Sequence, residues 1–374
     1  MGSMGKRPLV MFLGLRGIGG IQGGVETHVS ELIRHLPFDR GQMAVIGRAP
    51  YRRSGRAHDV GLPPVHWLPT LRHPALEALI HSVLGVLYAA IRRPRLLHIH
   101  GIGPNVVTPL ARLLGLTVVS THHGDDYERE KWGTIGRFIL KRGERDAVCR
   151  AHACISISPV DADALRARYG REVAFIPNGV TTLAAVPAGA TLAGYGLEAG
   201  RYALNVARQV PEKRQLDLID AFEKAALPNV KLVLVGGADH ENAYVRTLRA
   251  RVAANPAIVM TGHLNGPPLA ELFGNAGLFV LPSAHEGLPI VLLEAMALRR
   301  PVLVSDLPVY HAMGLPKNTI LPVGDVAALA KGLTQAFANP PLPVDWSAML
   351  ARYQWDGVAA DTAALYSRVL RERR

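Results

Sequence analysis

Short apolar runs of strand length alternate with longer amphipathic stretches along this chain, in two successive rounds. In the first round, residues 9–15, 43–47, 96–100, 117–120, 153–158 and 173–176 are nearly continuous in apolar residues, the pattern of strands buried on both faces. Residues 25–36, 75–91, 106–114, 135–149 and 159–169 recur at helical spacing between them. A stretch rich in Pro, Gly, Ala and Thr, residues 177–200, reads as a linker. The alternation then restarts, with strands expected at 202–206, 231–235, 258–261, 278–281 and 301–304. The helices expected with them lie at 216–224, 243–255, 269–276, 289–299 and 326–339. Such alternation builds parallel sheets covered by helices on both faces. The 374 residues suit two domains, each within the usual range of about 50–200 residues. The expected fold is therefore α/β, with two Rossmann-like doubly wound domains at 1–180 and 181–353. A terminal helix, 354–374, gathers Val358, Leu365, Tyr366, Val369 and Leu370 on one face and is predicted to pack back on the first domain.

Composition narrows the function. Hydrophobic residues make up 49% of the chain, enough for a sizeable core. Two cysteines, Cys149 and Cys154, cannot build a disulfide framework or a zinc site of their own, which points to a reducing compartment. The most apolar helical stretch, 75–91, is interrupted by Glu77 and His81 and is shorter than the roughly 20 residues of a membrane span. A cytoplasmic location is expected. Residues 1–180 carry 24 basic against 14 acidic side chains, so most of the net charge of +12 lies there. That half should meet an anion: a phosphorylated acceptor or a membrane surface. Nucleic acid is not expected, because the basic residues form no recognition motif.

The strand at 9–15 runs into Gly17, Gly19, Gly20, Gly23 and Gly24 before a helix opens. A glycine-rich strand-to-helix turn lets backbone N–H groups approach a diphosphate at the positive end of a helix. The spacing misses the dinucleotide fingerprint. No acid follows the second strand to hold a ribose; Arg48, Arg52 and Arg53 stand there instead. An NADP-dependent oxidoreductase is therefore a remote alternative.

In the second half, Ser283-Ala284-His285-Glu286-Gly287-Leu288-Pro289 follows an expected strand and leads into a helix carrying Glu294. The backbone of Gly287 and Leu288 can meet an anion there. Were the eight residues from Glu286 to Glu294 all helical, the rise would be about 12 Å, so the two acids are assigned to different parts of one elongated ligand. Arg208 and Lys213 lie in the loop after the strand at 202–206, where doubly wound sheets bind ligands, and two cations suit a diphosphate. In the first half, His122 and His123 follow a strand. Adjacent residues of an extended chain point to opposite faces, and His123, next to Gly124, is the one expected to reach a ligand. Asp161 and Asp163 mimic a metal-binding Asp-x-Asp pair. They follow Ser158-Pro159, so first-turn capping explains them.

Together, Gly23-Gly24-Val25-Glu26-Thr27-His28, Arg208 with Lys213, His-Glu-Gly-Leu-Pro followed by Glu294, and Phe175-Ile176-Pro177-Asn178-Gly179-Val180 resemble glycosyltransferase family 4 over nearly the whole chain. The resemblance implies the GT-B fold, with the two domains facing a central cleft, and a retaining transferase that needs neither cofactor nor metal. It implies a nucleotide-diphosphate sugar donor held by Gly23, Gly24, Arg208, Lys213, Gly262, Leu264, Glu286, Gly287, Leu288, Pro289 and Glu294. Glu294 would take the ribose, Glu286 the transferred sugar, Arg208 and Lys213 the leaving diphosphate, and His123 the donor sugar near its anomeric carbon. The segment from His123 to Gly133 looks like a subgroup that builds bacterial surface polysaccharides. It implies a glycan or polyprenyl-diphosphate-linked acceptor, with His122, Asp125, Asp126 and Lys131 as candidate contacts and peripheral contact with the inner membrane face. Arg214 departs from the glycine common after the lysine. Another GT-B enzyme, such as a nucleotide-sugar epimerase, is the alternative.

Overall fold

The computed structural model describes residues 8–52, 61–71, 77–124, 133–180, 186–238, 241–338 and 342–373. The chain divides into two compact units, Met1–Gly179 with Tyr353–Arg374, and Val180–Arg352. The first holds strands β1 (Val10–Leu13), β2 (Met43–Arg48), β3 (Val65–Leu68), β4 (Leu96–His100), β5 (Val118–His122), β6 (Ala153–Ser156) and β7 (Ala174–Phe175). Its helices are α1 (Gly24–His35), α2 (Glu77–Arg92), α3 (Thr108–Leu113), α4 (Thr134–Cys149) and α5 (Pro159–Tyr169), joined by the terminal helix described below. The second holds β8 (Tyr202–Val206), β9 (Lys231–Val235), β10 (Ile258–Gly262), β11 (Leu278–Leu281), β12 (Val302–Ser305) and β13 (Ile320–Leu321). With them come α6 (Ala190–Gly194), α7 (Gln215–Ala225), α8 (Ala243–Ala254), α9 (Gly266–Asn275), α10 (Ile290–Ala297), α11 (Pro308–Met313), α12 (Val326–Ala338) and α13 (Ser347–Leu350). The terminal helix is α14 (Trp355–Arg371).

Both sheets are parallel throughout, in the orders β3-β2-β1-β4-β5-β6-β7 and β10-β9-β8-β11-β12-β13. Each is a doubly wound order in which the winding direction reverses once, between β1 and β4 and between β8 and β11. Ligands to such sheets bind at that reversal, beyond the carboxyl ends of the strands. The central strands are wholly buried on both faces: Met11, Leu13, Leu97 and Ile99 in the first core, Ala203, Leu232 and Val280 in the second. That double burial is why they read as unbroken apolar runs.

Three departures from the sequence reading have physical reasons. β3 was missed because its four residues are only partly buried and sit at the sheet edge between prolines. The expected linker is not irregular throughout. It contains α6, whose first turn is tied down by Glu271, which accepts from the N–H groups of Gly189 (2.8 Å) and Leu192 (2.9 Å). Finally, β5 runs on to His122. The helix α5 agrees at both ends, because its signals are local. Ser158 Oγ accepts from Asp161 N–H (3.2 Å), and Gly170 closes the helix at φ 60°.

α14 belongs to the first unit. Tyr366 hydroxyl lies 2.6 Å from His98 Nδ1, and Trp355 packs on Gly179, where any side chain would collide with the indole. Within the same unit Glu144 of α4 is wholly buried. It accepts from Arg168 Nη1 (2.7 Å) and Tyr169 hydroxyl (2.6 Å), with His122 Nε2 3.7 Å away. Burial pushes this carboxyl up, but the His122 ring, Tyr169 and Arg168 outweigh it and hold it at about 2, against an ordinary 4.5. A depressed carboxylate stabilises the fold above its unfolded pKa, and that contribution disappears as pH falls toward its folded one. Glu144→Gln is therefore expected to lose about 2–3 kcal/mol at pH 7. The gap to the wild type should shrink below about pH 4.5. Urea unfolding at pH 7 and pH 3.5 checks this; an equal gap at both would contradict it.

Candidate functional site

In the second unit, the loops after β8 and β11 emerge side by side at the reversal point, because those strands are neighbours. They are joined by backbone, Ala284 N–H donating to Glu212 C=O at 2.8 Å. They are joined again by charge, Lys213 Nζ lying 2.5 Å from Glu286 Oε1 with both side chains largely buried. The β8 loop is anchored from beneath. Gln209 donates its N–H to Gly237 C=O (3.0 Å) and its amide to Gly236 C=O (2.9 Å). The Gln215 amide donates to Arg208 C=O (2.8 Å), and Tyr244 hydroxyl donates to Gln215 Oε1 (2.7 Å). Arg208 and Lys213 thus start from a fixed backbone, the preorganisation that makes a cation effective toward an anion.

Arg214 explains the glycine it replaces. The short 3-10 turn Pro211–Lys213 meets α7 through a left-handed residue, and Arg214 takes that conformation at φ 52°. Glycine adopts it without strain; a residue with a Cβ does so at a cost of about 1–2 kcal/mol. Here the Arg214 guanidinium is held by Asp217, Nε to Oδ2 at 2.6 Å.

The β11 loop fixes the spacing of the two acids. α10 begins only at Ile290, with Pro289 as its N-cap, so Glu286, Gly287 and Leu288 are loop residues. Only the last part of the interval to Glu294 is helical, a rise of about 6 Å. Glu294 is 9% exposed and Leu288 3%, so Glu294 is not a solvated helix charge. Gly262 ends β10, and Leu264 follows it half-buried; that strand is two removed from β8. Sequence reasoning passed over Ser283 and Tyr310. Both hydroxyls are buried without a hydrogen-bond partner among the described residues. Burial, and then the charge of Glu286, push the Tyr310 phenol well up. A tyrosine in a short helix carries no signal of this in sequence.

In the first unit, the glycine loop serves two purposes. Glu26, in the first turn of α1, is buried against Arg16, which donates from its N–H (3.0 Å) and Nε (3.1 Å) to Oε1 and from Nη2 to Oε2 (3.2 Å). Burial raises the Glu26 carboxyl, but Arg16 more than offsets this, and it lies below its ordinary value. A Cβ on Gly23, at φ 151°, would collide with that pair, so Gly23 is required by packing. Gly24 opens α1 exposed, and a Cβ there would meet nothing within 4 Å.

His122 and His123 part company. His122, the last residue of β5, is turned into the core toward Glu144. The structure thus corrects its candidacy as an acceptor contact. His123, half-buried just beyond the strand, joins His100 at the end of β4 and His28 on α1. His100 Nδ1 and His123 Nε2 are 3.0 Å apart, and His28 Nδ1 is 2.7 Å from Asn178 Oδ1. Burial pushes His28 down to about 4, with Asn178 opposing, and it pushes His98, His100 and His123 well below the usual range, with the neighbouring imidazoles adding to it. These rings are neutral at pH 7. Asp125, Asp126 and Lys131 lie outside the described residues.

Both halves also match known families. Residues 22–182 match Glycosyltransferase Family 4, and residues 196–349 match Glycosyl transferases group 1. The chain is a glycosyltransferase. This glycosyltransferase is 30% identical over 212 residues to phosphatidyl-myo-inositol mannosyltransferase of Mycobacterium leprae, covering 54% of each chain. It is 30% identical over 136 residues to the putative teichuronic acid biosynthesis glycosyltransferase TuaC of Bacillus subtilis, covering 36% of this chain and 32% of that one. It therefore spans about half or less of the length of these curated relatives. Among solved structures it is similar to sucrose-phosphate synthase from Thermosynechococcus elongatus, with a TM-score of 0.76 and 20% identity over 98% of this chain and 100% of that one. It is also similar to Anabaena HepE in complex with UDP-glucose, with a TM-score of 0.75 and 18% identity over 96% and 99%. At those identities the structural likeness speaks for the fold.

Proposed function

We propose that this glycosyltransferase moves a hexose or deoxyhexose, with retention of configuration, from a nucleotide-diphosphate sugar to a glycan or polyprenyl-diphosphate-linked acceptor in surface-polysaccharide synthesis. The observation that carries the donor half is the pairing of Lys213 with Glu286 at the β8–β11 reversal, in the same loop as Arg208. As the bond from the sugar to the diphosphate breaks, negative charge grows on the leaving oxygens, and fixed cations stabilise it without a metal. Before the donor binds, Glu286 neutralises Lys213; a diphosphate brings more negative charge to the same ammonium. Glu294 supplies carboxylate acceptors for the two ribose hydroxyls. In the first unit, His123 is the residue assigned to the reacting sugar. The teichuronic acid biosynthesis named for one relative supports a role in surface-polysaccharide synthesis, and the UDP-glucose held by HepE supports the donor class.

A thermal-shift panel of UDP-, GDP-, dTDP- and ADP-sugars tests this. A ligand at about 100 times its Kd adds about 2.7 kcal/mol of stability, so one base should raise Tm and the others should not. No shift with any of the four would sink the donor assignment. Donor incubated alone separates the classes: slow hydrolysis fits a transferase, an isomerised sugar an epimerase.

The basic first half supports the proposal of a membrane-borne acceptor. No described helix is long and apolar enough to cross a bilayer. However, α4 exposes Ile135 (78%) and Phe138 (70%) beside the exposed Arg137 and Lys141. Each basic residue near an anionic surface contributes roughly 1 kcal/mol. The protein is expected to float with anionic but not neutral liposomes, less so at high salt, and Ile135→Glu with Phe138→Glu should weaken flotation. Failure to float with anionic vesicles at low salt would leave a soluble acceptor.

A further inference from the structure

We propose that His28, His100 and His123 form a binding site for a late first-row divalent ion of the Zn²⁺ type, with three imidazole ligands and a fourth position left open. Their ligand atoms all lie within 4.8 Å of one another. The ring centroids are 5.0 Å (His28–His123), 5.3 Å (His100–His123) and 5.6 Å (His28–His100) apart. Imidazoles bound tetrahedrally at about 2.0–2.1 Å from zinc have ring centres about 5 Å apart. The three rings are therefore already spaced for one ion, and modest rotations bring the nitrogens onto it.

The supporting groups agree. Asn178 Oδ1 accepts from His28 Nδ1 (2.7 Å), which fixes that ring and leaves its Nε2 for a metal, as outer partners of ligating histidines do. His100 Nε2 is buried without a hydrogen-bond partner among the described residues. On metal binding, the proton shared by His100 Nδ1 and His123 Nε2 moves to the outer nitrogen of the ring that holds it, and both rings stay neutral. Glu26, two residues before His28 on α1, is already committed to Arg16. Among the described residues the donors are three nitrogens and no carboxylate, a set that selects Zn²⁺, Co²⁺, Ni²⁺ or Cu²⁺ over Mg²⁺ or Ca²⁺. The half-exposed side of His123 is the way in. The ligands come from α1, β4 and the end of β5, 72 and 23 residues apart, so no short spacing in the sequence announces them.

Binding does not depend on the proposed reaction. One consequence does: an ion held there occupies the imidazole assigned to the reacting sugar, so Zn²⁺ is expected to inhibit transfer.

The test is a titration of the EDTA-treated, dialysed full chain with Co²⁺, followed by Zn²⁺ competition and calorimetry. One equivalent should give the intense visible absorption of four-coordinate Co²⁺, displaced by Zn²⁺. His123→Asn and His100→Asn should each weaken Zn²⁺ at least tenfold, and Asn178→Ala about tenfold, since loss of outer partners costs about 10–100-fold in affinity. His311→Asn, at an exposed histidine paired with Asp306, should change nothing. His123 is only half-buried, so its variant reports even if the His100 variant fails to fold. Weak six-coordinate Co²⁺ absorption, or the same Zn²⁺ affinity in the folded His123→Asn protein, would overturn the site. Zn²⁺ binding there without inhibition would leave the site standing and count against the role of His123 in transfer.

Discussion

Lys213→Ala is expected to lower turnover by about 10²–10³-fold, the usual effect of removing one fixed donor from developing transition-state charge. The same change leaves Glu286, which is 9% exposed, without its ammonium, so part of any loss could be a loss of fold. The double variant Lys213→Ala with Glu286→Gln separates the two. Removing both charges should return much of the lost Tm, because an uncompensated buried charge is what destabilises. It should not return turnover, because Arg208 alone then faces the charge on the leaving group. Wild-type turnover should persist in excess EDTA, and Mn²⁺ should not rescue the variant. Turnover abolished by EDTA and restored by Mg²⁺ or Mn²⁺ would refute a purely cationic clamp.

Glu294→Ala is expected to weaken free nucleoside diphosphate by about ten- to a hundredfold, the equivalent of roughly 1.5–3 kcal/mol for hydrogen bonds to a charged group. Glu286→Gln should leave that affinity within about twofold and lower kcat instead, since the sugar is absent from the calorimeter cell. The split follows from position. Glu294 lies inside α10 and nine-tenths buried, whereas Glu286 precedes the helix and contacts Lys213. Calorimetry with the diphosphate whose sugar stabilises the protein reads both. A large loss for Glu286→Gln with little for Glu294→Ala would reverse the assignment.

The sequence by itself determined the two doubly wound units and the loops that carry Arg208, Lys213 and Glu286. Strands buried on both faces are apolar at every position, and helix ends such as Ser158-Pro159 are settled by atoms a few residues apart. Loops that follow strands can therefore be found by reading along the chain. Features at the margins escaped: β3, whose burial is partial, and α6, whose hold on Glu271 is 79 residues away from Leu192.

Tertiary structure alone decided which loop residues meet. The pairing of Lys213 with Glu286 spans 73 residues and follows from β8 lying next to β11, a matter of strand order that no local pattern encodes. Which of His122 and His123 turns into the core was likewise narrowed by strand alternation but decided by where β5 stops and by the buried Glu144 that receives His122. In the first sheet, strand order brings His28, His100 and His123 together, because the carboxyl ends of the central strands β4 and β5 lie beside the helix that follows β1. Side-chain periodicity is a property of consecutive residues and is legible in sequence. Convergence of distant loops depends on the order in which strands assemble, and only the folded chain records it.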